Sequence, residues 1–125
     1  MTIAYWCILI AGLLPQMTGL YAKLAKDYDN NNPRIYLSKL EGKRARAVAA
    51  MKNGFEGLPL FIAAVIIAHL AHVTQNIIDG LAISYLIIRV IYSVVYIQGL
   101  GGLRSVVWSI GLLCIISLFV FAQIA

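Results

Sequence analysis

Charge is confined to one part of this chain, and that confinement limits the possible folds more than any other feature. Twelve of the fifteen charged side chains lie between Lys23 and Glu56; the other three are Asp79, Arg89 and Arg104. Residues 1–22, 57–78 and 105–125 carry no Asp, Glu, Lys or Arg, and residues 80–103 carry only Arg89. A helix that crosses a bilayer takes about 20 apolar residues, so four such stretches use most of a 125-residue chain. Only 12% of the residues are charged, against about 25% in a soluble domain, which excludes a water-soluble globule. The expectation is an all-α, integral membrane four-helix bundle forming one four-span domain over 1–125. Its spans cover about 1–22, 45–73, 81–98 and 105–125.

The connections follow from local chemistry. The segment Asp27-Tyr28-Asp29-Asn30-Asn31-Asn32-Pro33 is a strong turn signal, so residues 23–44 form the one long loop. Thr74 to Gly80 and Gly99 to Gly102 read as short turns. Pro15 is expected to kink the first span. No basic segment precedes the first apolar run, so that run is read as a retained span and not a cleaved leader. Lys and Arg gather on the cytoplasmic side of membrane proteins. Eight of them lie between Lys23 and Lys52, the turn at 74–80 has none, and Arg104 follows the third turn. The first and third connections therefore face the cytoplasm and both termini the opposite side, an arrangement expected for a multi-pass membrane protein. A net charge of +5 distributed in this way is a membrane-orientation signal. With no aromatic-basic surface or recognition helix, nucleic acid is not an expected partner.

Two charges are placed where charge is costly. A charged side chain at the centre of a span costs about 2.5–3.5 kcal/mol even on insertion scales. Glu56 lies ten residues beyond Arg46, and Arg89 ten residues before Gly99, which puts both roughly 15 Å from the charged side. Matched depth suggests an ion pair. On the second span Arg46, Asn53 and Glu56 recur at helical spacing with Lys52 one turn before Glu56; on the third, Arg89, Tyr92 and Tyr96 form one stripe. With Arg104 just beyond, these residues are expected to surround a cavity open to the cytoplasm. It suits a small, flexible, mostly anionic molecule with one ammonium group, since guanidiniums pair with carboxylates and Glu56 can meet the ammonium. Helix-packing polar contacts, and headgroup contacts for Arg46, Lys52 and Arg104, are the structural alternatives.

The remaining reactive residue types carry less. Cys7 and Cys114 have no partner spacing and read as buried free thiols. His69 and His72 lack further ligands, so no metal site is expected and both are read as packing or interfacial hydrogen-bonding residues.

The segment Arg46-Ala-Val-Ala-Ala-Met-Lys-Asn53-Gly-Phe-Glu56-Gly-Leu-Pro59-Leu-Phe61, together with Arg89, Tyr92, Tyr96 and Arg104, resembles the signature of the MAPEG family, the membrane-associated proteins of eicosanoid and glutathione metabolism. The likeness extends over essentially the whole chain and is greatest to the family's bacterial branch, which implies a bacterial inner membrane. It implies a homotrimer with glutathione as co-substrate between neighbouring subunits, and a lipophilic small molecule arriving from membrane lipid. Carried over by position, Asn53, Glu56, Arg89, Tyr92 and Tyr96 line the glutathione site, and Arg104 matches the arginine that stabilises the thiolate. Ala49 stands where conjugating members usually carry an arginine, and Arg46 or Lys52 is the substitute expected to supply that charge. The implied function is glutathione binding with transferase or peroxidase chemistry. A non-catalytic lipid-binding or scaffold member of the same fold is the alternative. A small multidrug transporter is a further one, disfavoured because the first span has no acid.

Overall fold

The computed structural model describes all 125 residues, and every regular element in it is a helix. Helix α1 spans Ile3–Ala22, α2 Pro33–Ser38, α3 Gly42–Leu70, α4 Gln75–Ile97 and α5 Gly101–Ile124. All but α2 are long and apolar enough to cross a membrane. The protein is an integral, multi-pass membrane protein turned inside out relative to a soluble one. Large apolar side chains such as Leu9, Leu13, Ile87, Val94, Leu113 and Val120 are exposed on its surface, where lipid rather than water is the solvent.

What brings the helices together is small side chains. The buried face of α1 is Ala4, Cys7, Ala11, Pro15, Thr18, Gly19 and Ala22, a stripe at helical spacing. Helix α3 answers with Ala47, Ala50, Gly54, Ala64 and Ala68. Lipid tails are as apolar as leucine, so close backbone approach and dispersion hold such a pair together. The approach is closest at Gly54: a methyl group there would lie 2.6 Å from Pro15 Cγ. Gly19 likewise sits directly under the Met51 thioether. Helices α1 and α5 both pack on α3 and α4, with the larger core of Phe61, Val65, Ile78, Tyr85, Ile115 and Leu118 between them.

Helix ends depart from the positions expected from hydropathy. Helix α4 starts at Gln75, so Asp79 and Gly80 lie inside its first turns and not in a connecting loop. The physical reason is tertiary. The Asp79 carboxylate accepts from the Ala4 N–H at 3.0 Å and from the Gln75 amide at 2.8 Å, and so serves the free N–H groups of the α1 terminus. His69 completes this corner. Its Nδ1–H donates to the Val65 carbonyl at 2.7 Å, its Nε2 accepts from the Thr2 hydroxyl at 2.9 Å, and Tyr5 stacks on the ring at 4.0 Å. The packing and hydrogen-bonding role expected of the two histidines is observed for His69, whereas His72 is exposed at the end of α3. Neither cysteine is in a disulfide: Cys7 is buried and Cys114 half-buried. Pro15 stays within α1, where its ring is buried against Gly54.

Residues 23–44 are more ordered than their turn chemistry suggests. They contain the one-and-a-half-turn α2, and a relay ties them to the bundle. Tyr36 donates to Asp27 at 2.8 Å, Arg44 donates to the Tyr36 hydroxyl at 2.7 Å, and Arg44 also donates to the Ala22 carbonyl at 2.7 Å. The last bond places a cation on the C-terminal carbonyls of α1, where the helix dipole favours it.

Candidate functional site

The polar residues of α3 and α4 meet at a groove between α3 and α5. Arg89 is buried, with 7% of its surface exposed, although it lies deep in an apolar helix. Its Nη2 donates to Asn53 Oδ1 on α3 at 2.9 Å, and its guanidinium lies over the Tyr92 ring at 4.3 Å. A buried guanidinium needs such partners because removing a charge from water without them costs several kcal/mol. Gly54 lies beside it, where an added Cβ would meet Arg89 Nη2 at an ordinary 3.8 Å and be blocked only by Pro15.

Glu56 is exposed and lines the same groove as Arg89 and Asn53. The hydrogen bond of Arg89, however, goes to Asn53 and not to Glu56. Matched depth along two helices puts two residues at one level but does not make them face each other. Asn53, three positions before Glu56, is the residue whose side chain reaches across to α4. The Glu56 carboxylate is left exposed on the groove.

Arg104 approaches from α5. Its Nη1 donates to the Tyr92 hydroxyl at 3.2 Å, and its guanidinium stands over the Tyr96 ring at 4.8 Å. Tyr92 and Tyr96 meet edge-on at 5.7 Å. The result is a stack in which two arginines and two phenols alternate, with Tyr92 wholly buried at its centre. Arg104 also lines a second opening with Asn53, Ser105, Trp108 and Ser109. Asn53 and Trp108 are common to both openings, so the charged stack and the groove are continuous.

Two expected ligand residues are placed differently. Arg46 donates from Nε to the Ile97 carbonyl at 2.9 Å. It caps the C-terminus of α4 and packs beside Gly99, whose φ of +77° turns the chain toward α5. Lys52 is exposed and lines neither opening. Conversely, Tyr85, Trp108 and Gly111 line the groove without having been singled out from the sequence. For Tyr85 a signal existed: it lies one turn before Arg89, on the stripe that continues through Tyr92 and Tyr96.

The arrangement gathers two guanidiniums, an amide, two phenols and one unpaired carboxylate at one end of a bundle whose other walls are apolar. It can hold an anion by paired charge-assisted hydrogen bonds and favour the ionised form of a weak acid beside it. Comparison with known proteins gives a single result of substance. The family model of the MAPEG family matches residues 3–124, and the chain belongs to that family. No curated protein and no solved structure matches it.

Proposed function

We propose that this MAPEG-family membrane protein binds glutathione at the Arg89–Arg104 end of the groove and presents its thiol to a lipophilic substrate. The observation that carries this reading is an imbalance of charge: two guanidiniums stand in the apolar bundle, hydrogen-bonded to neutral Asn53 and Tyr92 rather than to a carboxylate. An anionic ligand supplies what the chain withholds. Glutathione has a carboxylate for Arg89, one ammonium for Glu56, and a thiol that ionises to an anion beside Arg104.

Arg104 is the residue assigned to the thiol. A thiol with an ordinary pKa near 8.5 is mostly protonated at neutral pH, and adjacent positive charge favours the nucleophilic thiolate. Tyr92 and Tyr96 orient that arginine and Asn53 orients Arg89. Arg46 supports the α4–α5 turn that precedes Arg104. Family membership further supports assembly as a homotrimer. So do Lys52 and Glu56, two exposed charges on a membrane-crossing helix, which a neighbouring protomer would cover. The eight basic residues between Lys23 and Lys52 support a cytoplasmic position for this end and a non-cytoplasmic one for both termini.

Calorimetric titration of the purified, detergent-solubilised protein with glutathione tests the reading, followed by assay with a generic aromatic electrophile. Binding is expected, and its absence would overturn the assignment. Ultraviolet titration of the bound thiol then isolates Arg104. In a correctly inserted Arg104→Ala protein the thiolate absorbance should rise about one pH unit higher than in wild type. An unchanged titration removes Arg104 from the chemistry. Binding without turnover in wild type identifies a lipid-binding or scaffold member of the family.

A further inference from the structure

The segment between α1 and α3 takes no part in the groove, and its composition is unlike that of the rest of the chain. Residues 23–44 carry six basic and three acidic side chains. Two of the acids fold back on the turn itself: Asp27 accepts from the Tyr36 hydroxyl, and Asp29 from the Asn31 N–H and the Asn32 amide. Two of the bases are also engaged within the chain. Arg44 donates to the Ala22 carbonyl, and Lys23 lies over the Tyr28 ring at 5.8 Å. Lys26, Arg34, Lys39 and Lys43 are exposed, with Glu41 the one acid outside these bonds.

Helix α2 sorts its side chains by face. Leu37, within it, and Leu40, just beyond it, pack against Ala22, Ala47 and Val48. Arg34, Ile35, Ser38 and the C-cap Lys39 are exposed, and at helical spacing they share the opposite face. Ile35 is 57% exposed there. The depth of this face is fixed by what α2 packs on. Ala22 is the last residue of α1, and Ala47 lies in the second turn of α3. The outward face is therefore level with the end of a membrane-crossing helix, where hydrocarbon gives way to headgroups. At the same level Leu24, just past α1, is 71% exposed.

We infer that the outward face of α2 docks on anionic phospholipid headgroups of the leaflet around the protein. Ile35 enters the acyl boundary, while Arg34 and Lys39 reach along it to pair with headgroup phosphates. A count of basic residues orients any loop, folded or not. Docking needs more: an ordered helix, held here by the Arg44–Tyr36 contact, that presents cations and an apolar side chain together. An acidic soluble protein would answer the cations alone, whereas a lipid leaflet answers both. Each Lys or Arg close to an anionic surface favours the docked state about fivefold. The inference rests on neither glutathione binding nor the orientation of the chain.

An environment-sensitive NBD label on Ser38→Cys, with Cys7 and Cys114 replaced by alanine, reads the docked state and leaves Arg34, Ile35 and Lys39 in place. The full-length protein is reconstituted in nanodiscs of phosphatidylcholine and, separately, of an equal mixture with phosphatidylglycerol. Their two leaflets are alike, so either orientation gives the same signal. In the anionic discs the label should emit further to the blue and be quenched by doxyl-labelled lipid. Salt at about 1 M, where the Debye length falls to about 3 Å, should reverse both changes without any substitution. Arg34→Gln with Lys39→Gln should lower the docked-to-free ratio about 25-fold. Ile35→Ser should reduce lipid quenching in the anionic discs. All three side chains are exposed, so these variants should fold. Equal emission in the two kinds of disc would overturn the inference. So would a label buried in both and indifferent to salt, as when a second copy covers α2. A label that stays open to aqueous iodide in anionic discs would also overturn it and leave the face to a soluble acidic protein.

Discussion

Arg89 shows how much one residue can be asked to do in a membrane. Its burial is tolerated because Asn53 accepts a hydrogen bond from it and Tyr92 offers a π face. A hydrogen bond to a charged group contributes about 1.5–3 kcal/mol, and removing one partner leaves the other's desolvation uncompensated. Asn53→Leu should therefore destabilise the protein by at least about 1.5 kcal/mol, measured by thermal or denaturant unfolding in detergent. Arg89→Met should be costly alone yet partly rescued when combined with Asn53→Leu, because the double variant has neither an orphan charge nor an orphan amide. A cycle with Glu56→Gln in place of Asn53→Leu should be close to additive. Strong coupling of Arg89 to Glu56, with none to Asn53, would show that the bond is made differently.

Among the elements, α1 and α3 are joined less by large apolar side chains than by the absence of side chains. Gly54 against Pro15 is the closest point. Real Cβ atoms do not approach another atom to 2.6 Å, and Pro15 has no rotamer by which to retreat, so Gly54→Ala must push the helices apart. Overpacking of this kind costs typically about 1–3 kcal/mol, and here it also moves α3 beside Arg89. The expected outcome is a lower unfolding temperature together with weaker ligand binding, whereas Gly12→Ala, whose added methyl meets Leu58 at an ordinary 3.6 Å, should leave both nearly unchanged. Equal tolerance at the two positions would mean that the helices do not pack here as described. Helix ends belong to this scale as well. His72 takes a φ of +60° after α3, the left-handed position that a glycine or asparagine usually fills at a helix C-terminus, and from there the chain turns into α4.

For the molecule as a whole, the decisive quantity is the asymmetry of its charge. The relay from Asp27 through Tyr36 and Arg44 to the end of α1 keeps the basic block at one end of the bundle, while the opposite end is closed by uncharged Thr2 and Gln75 with Asp79 and His69. Single cysteines introduced at exposed Asn31 and Gln75, in a background with Cys7 and Cys114 replaced by alanine, should react with an impermeant maleimide from opposite faces, Asn31 from the cytoplasmic one. Labelling of both from one side would overturn the orientation.

Much of this could be read before any coordinates. Apolar runs in which the rare charges are so unevenly placed can only be membrane spans, because solvation of charge is the largest local energy in the problem. The number of long helices, the polar stripes on α3 and α4, and the family signature follow from that distribution and from helical spacing. Periodicity places a residue on a face and at a depth, but it does not say which neighbour that face meets. The crossing of α3 and α4 gave Arg89 to Asn53 rather than Glu56, turned Arg46 into a cap on α4, and stacked Tyr85 on Phe61. The start of α4 was decided in the same way, by an N–H on α1 far away in sequence. Depth and helical phase are properties of one helix at a time, whereas partners are properties of pairs of helices, and only packing settles those.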